Sequence, residues 1–174
     1  MMARGRPEGV ALLPSDGAGA WRSFRAMAIC LPAFLALRLI GWEGGAPPGG
    51  LLTGLLTETA AYALAWSALL LGTLPIAEAA GAGPRWARFV AAWNWANVPQ
   101  YAVLLIAIVL PGLLGLPDWV GQAATLAAFG WALWLEWWVA KTALAVGPGV
   151  AIAIVAADVM IGLVVGGITE KLTG

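Results

Sequence analysis

The sequence predicts an all-α integral membrane bundle of about five transmembrane helices, and two observations carry the prediction. Apolar residues make up 61% of the chain and charged residues 10%, with a mean hydropathy of +0.87, which is more apolar surface than a water-soluble domain of 174 residues hides. That material arrives in long runs, without the alternation over roughly ten residues that a membrane β-barrel requires. The expected helices lie at about 24–42, 53–77, 88–110, 119–140 and 149–168. They make one transmembrane domain over 21–174, preceded by a disordered tail at 1–20.

The tail mixes Arg4, Arg6, Pro7, Glu8, Pro14 and Asp16 with glycines, a composition too polar and too broken to pack. The first apolar run follows Arg22 and Arg25 and contains Pro32 and Arg38. Basic residues ahead of a short apolar core resemble a signal peptide, but no A-x-A site follows, so a retained helix is expected. Glu43 to Gly50 is Gly/Pro-rich and makes a turn. The second run carries Glu58 near its start and Glu78 at its end, with an uncharged stretch between them of nearly spanning length. Pro84, Arg85 and Arg88 form a loop, after which Phe89 to Pro117 is uncharged throughout. Pro117 and Asp118 mark the next turn. The fourth run contains Glu136 and closes at Lys141; Gly147, Pro148 and Gly149 break the chain again. The fifth contains Asp158 and ends before Glu170 and Lys171.

Arginine and lysine set the orientation, because basic flanks are retained in the cytoplasm. With the N-terminus inside, Arg4, Arg6, Arg22, Arg25, Arg85, Arg88 and Lys141 all fall on the cytoplasmic side and Lys171 falls outside. Arg38, near an outer helix end, can snorkel to the interface. Trp21, Trp42, Trp86 and Trp119 stand at expected helix ends, as interfacial anchors do. Trp131, Trp134, Trp137 and Trp138 crowd one helix, where packing is preferred over a ligand cage.

Composition also excludes functions. Formal net charge is zero and no nucleic-acid motif is present, so no nucleic-acid partner is expected. The single cysteine, Cys30, forms no internal disulfide and reads as a small buried hydrophobe. Histidine is absent, which removes the commonest transition-metal ligand and acid-base group. There is no nucleophile elbow, zinc-protease motif, Walker A lysine or dinucleotide fingerprint. No enzyme activity, cofactor or metal is therefore expected.

What remains is the polar content of the helices. A charge at a helix centre costs about 2.5–3.5 kcal/mol on insertion scales, so it needs a partner, a wet cavity or the nearby surface. Arg38 and Glu58 lie toward the same outer side of adjacent helices and form a candidate ion pair. Asp158 sits midway along its helix and is too short to snorkel. Gly162 and Gly166 follow at four-residue steps on its face, a small-residue pattern that predicts close helix packing. Its expected partners are on the third helix, where Asn94, Asn97, Gln100 and Tyr101 surround Pro99. Together with Glu136 these make a predicted polar stripe of Asn94, Asn97, Gln100, Glu136 and Asp158. The stripe fits a proton or substrate path in which the acids change protonation, and it equally fits hydrogen-bonded helix glue at about 0.6–2 kcal/mol per bond. Glue is the preferred role. Glu136 and Asp158 are expected at different depths, which argues against a paired-acid enzyme.

Two segments, Phe89-Val-Ala-Ala-Trp-Asn-Trp-Ala-Asn-Val-Pro-Gln-Tyr101 and Glu136-Trp-Trp-Val-Ala-Lys-Thr-Ala-Leu144 with the run onward to Asp158, resemble a group of small, uncharacterised proteobacterial polytopic inner-membrane proteins loosely similar to the Yip family of five-helix proteins. The resemblance implies a multi-pass protein of the cell inner membrane that acts in membrane organisation or trafficking-like assembly, and implies no enzyme. The leading expectation is thus an assembly or scaffold subunit whose partners are the lipid bilayer and other membrane proteins or a second copy of this chain. The alternative is a small transporter or proton-conducting subunit using Asp158 and Glu136.

Overall fold

A computed structural model describes residues 2–42, 45 and 47–173, the side chain of Thr173 excepted. The chain is an all-α membrane bundle, 85% helical, with no strand among the described residues. A 3-10 turn at Met2–Arg4 leads to short helices α1 (Glu8–Ala11) and α2 (Gly17–Ser23). The long helices are α3 (Arg25–Gly41), α4 (Leu51–Ala79), α5 (Trp86–Leu113), α6 (Asp118–Leu144) and α7 (Pro148–Thr173). Of the expected turn from Glu43 to Gly50, residues Glu43, Gly44 and Ala46 lie outside the described residues.

Local chemistry sets the boundaries. Asp16 has extended backbone and its side chain accepts a hydrogen bond from Gly19 N at 3.0 Å, capping α2. Pro117, also extended, stops the chain from running straight into α6 and leaves Asp118 in the first turn, where its charge suits the helix N-terminus. Ala145 ends α6 in the left-handed region, at φ 50°. Pro32, Pro75 and Pro99 lie inside helices as expected, and Pro111 is accommodated too, so α5 runs on to Leu113, beyond the expected end at 110.

Four stretches are long and apolar enough to cross a bilayer: Gly17–Gly41, in which α2 continues into α3, Leu51–Ala79, Gly83–Leu113 and Pro148–Leu172. Helix α6 has the length, with 27 residues spanning about 40 Å. It falls short in apolarity because Gln122, Glu136, Lys141 and its tryptophans replace aliphatic residues.

Consecutive long helices are antiparallel, as their side-chain bonds show: Tyr62 reaches Met27 while Glu58 reaches Arg38, and Trp66 reaches Asn94 while Trp86 reaches Leu70 and Thr73. The most extensive helix contact is α5 on α6, with α7 packed against α4 and α6. Burial concentrates at the end where α5 begins and α6 finishes. Phe89, Val90, Leu135, Val139 and Leu144 are fully enclosed there with Leu70 and Ile154. Ala91, Ala92, Ala140 and Ala143 keep the backbones close.

Residues 2–20, expected from composition to be a disordered tail, contain the 3-10 turn, α1 and the start of α2. Val10 and Ala20 are buried, and Met2 and Leu13 pack against the core that includes Trp131, Trp137 and Trp138. Gly5, at φ +67°, lies against the ring of Trp134. The α6 tryptophans thus supply an apolar platform that a local reading of the Gly/Pro-rich stretch misses. Trp21 and Trp119 are exposed at helix ends, whereas Trp86 turns inward and donates to Leu70 O and Thr73 Oγ1, each at 3.2 Å.

Candidate functional site

A partly open cavity of about 410 Å³ lies among the long helices, with wall residues from α3, α4, α5, α6 and α7. Every one of these helices contributes a polar or charged group to a mostly apolar wall: Arg38 from α3, Glu58 from α4, Asn97 and Gln100 from α5, Glu136 from α6 and Asp158 from α7.

Glu136 is held from one side. Gln100 Nε2 donates to Ala132 O at 2.9 Å, which fixes the amide against α6, and makes a longer contact of 3.4 Å with Glu136 Oε1. Glu136 is 9% exposed, and its other oxygen, Oε2, is enclosed without a hydrogen-bond partner among the described residues. A buried carboxylate oxygen left in this state is costly unless something from outside the chain meets it. Asp158 lines the same cavity, partly buried, from the facing helix. Asn97 also lines it, with Nδ2 bonded to Trp93 O at 3.0 Å.

Near the end of α3 and the start of α4, Arg38 Nε forms an ion pair with Glu58 Oε2 at 2.9 Å, and the Arg38 guanidinium lies 5.4 Å from the centre of the Phe34 ring. Aromatic groups continue inward from this pair. Phe34 and Tyr62 are 4.6 Å apart between centroids; Tyr62 is edge-on to Trp66 and Tyr101 at 5.3 and 6.2 Å, and Trp66 and Tyr101 are nearly parallel at 6.5 Å. All four rings border the cavity.

No protein-family model, curated protein or solved structure significantly matches this chain. The site therefore rests on its own geometry. Among the described residues no three metal-ligating side chains converge.

Three sequence expectations need correction. Asn94 is not part of the cavity stripe: it is 0% exposed, accepts from Trp66 Nε1 at 2.7 Å and donates to Ser23 Oγ at 2.7 Å, while Ser23 donates to Ala20 O. At about 100° per residue, Asn94 and Gln100 stand about 120° apart around α5, so one cavity does not receive both. Gly162 and Gly166 make no close helix contact within this chain. They border the cavity, and a methyl group added at either meets nothing within 4 Å. Glu136 and Asp158, expected at different depths, face the same space, because the α6 and α7 helices pack with offsets that counting from helix ends does not reveal.

Tyr62 and Trp66 were missed. Their signal was present: Glu58, Tyr62, Trp66, Leu69 and Thr73 recur at three- and four-residue steps and are all buried, which marks one face of α4.

Proposed function

We propose that this protein is a small multi-pass transporter in which the central cavity receives the solute and Glu136 and Asp158 carry charge across the bilayer. The supporting observation is Glu136 Oε2, an enclosed carboxylate oxygen without an internal partner, in a cavity it shares with a second acid. An assembly role was expected from the absence of catalytic motifs and from the Gly162–Gly166 face; within the chain those glycines border the cavity beside Asp158, which adds to the space a solute would occupy. The basic residues at the α3 start, the α5 start and the α6 end support a cytoplasmic N-terminus.

The test is proton movement in vesicles of purified protein containing a pH-sensitive dye, under an imposed proton gradient. Faster dissipation than in protein-free vesicles, lost in Glu136→Gln and in Asp158→Asn, is the expected result. Equal rates in all four preparations would remove the proposal.

A further inference from the structure

We infer that the solute of this cavity is a compact organic cation, an ammonium group carried on an apolar or aromatic body. The inference rests on the transporter proposal above and adds the substrate class.

Charge inside the wall is the first argument. The described lining residues include three carboxylates, Glu58, Glu136 and Asp158, and one cationic side chain, Arg38. Arg38 is already engaged by Glu58 at 2.9 Å and has Phe34 beside it. The nearest lysine in sequence to Glu136, Lys141, lies over the Trp137 ring at 4.9 Å and is not in the wall. Glu136 and Asp158 thus lack an internal counter-ion in the wall, and the orphaned oxygen of Glu136 shows where a positive or hydrogen-bonding group is missing.

The rest of the wall decides which cation fits. A bare magnesium or calcium ion requires about six to eight oxygen ligands. Among the described residues no three His, Cys, Asp or Glu side chains converge as such a site would need, and the wall presents aromatic faces beside its two free acids. Phe34, Tyr62, Trp66 and Tyr101 form a continuous aromatic surface between the ion pair and the acids. Such faces attract ammonium groups through the ring quadrupole, most strongly when both are out of water. They also cover an apolar body. A cavity of about 410 Å³ has room for a molecule larger than a hydrated proton or single metal ion. The space beside Gly162 and Gly166 extends this volume along α7.

The experiment is equilibrium binding to the full-length protein in lipid nanodiscs by calorimetry, with benzyltrimethylammonium as probe. Benzyl alcohol and phenylmethanesulfonate supply the same ring with zero and negative charge. Saturable binding of the cation alone is expected, weakened about tenfold or more in Glu136→Gln and several-fold in Tyr101→Leu, while Asp118→Asn, outside this wall, binds as the parent does. Binding lost equally in Asp118→Asn would place the effect outside the cavity and overturn the inference. Absence of cation binding to the parent, or equal binding of all three probes, overturns it irrespective of how the variants fold. Proton movement that depends on Glu136 without cation binding leaves the transporter proposal standing and removes this one; cation binding without proton movement does the reverse.

Discussion

Arg38 Nε and Glu58 Oε2 approach to 2.9 Å, yet the two side chains are unequally exposed, at 42% and 7%. Removing the arginine strands a buried carboxylate, whereas removing the acid leaves a guanidinium with access to its surroundings. Arg38→Met is therefore expected to destabilise the bundle by about 3 kcal/mol, and Glu58→Gln by clearly less. The double variant recovers most of the loss, because no charge is left stranded. Unfolding titrations in mixed micelles compare the three variants. Equal losses in the two single variants would contradict the asymmetry.

Glycines at different places in this chain answer opposite demands. At Gly162 and Gly166 an added methyl finds open space, and alanine is favoured over glycine in a helix interior by about 1 kcal/mol. Each Gly→Ala change there is expected to preserve or raise thermal stability. At Gly54 the methyl would stand 2.8 Å from Pro47 Cγ and 2.9 Å from Trp42 Cη2, so Gly54→Ala is expected to lower it. Melting followed by circular dichroism ranks the three. A loss at Gly162 matching that at Gly54 would restore the close-packing role.

Asn94 joins three helices through single hydrogen bonds at each end of its amide. In Asn94→Leu, the buried Trp66 indole loses its acceptor and Ser23 loses a donor. The expected loss is about 1–3 kcal/mol. Trp66→Phe should then cost less in the Asn94→Leu background than alone, since the indole N–H has no partner left to lose. Additive losses in the same unfolding assay would show that the bond contributes nothing to stability.

The helices were legible because long apolar runs bounded by Gly, Pro and charge admit few other structures, and Asp158, Glu136, Arg38 and Glu58 stood out as charges within those runs. What one chain's periodicity does not contain is the rotation and offset of one helix against another. Asn94 therefore joined the wrong group, and Gly162 and Gly166 were assigned contact where there is space. Val10 and Leu13 were unreadable for a related reason. A four-residue apolar run in a Gly/Pro-rich stretch gives no sign that Val10 will be buried and Leu13 packed against the core, because the residues that cover them come from helices far along the chain.

The limited apolarity of α6 has a consequence for biosynthesis. Emerging alone from the ribosome, this helix offers the lipid Glu136 with nothing to receive it. Emerging beside α5, it finds the Gln100 amide already positioned to hold both Ala132 O and the acid. The short link between Leu113 and Asp118 keeps the two together. The α5–α6 hairpin is therefore expected to enter the bilayer as one unit.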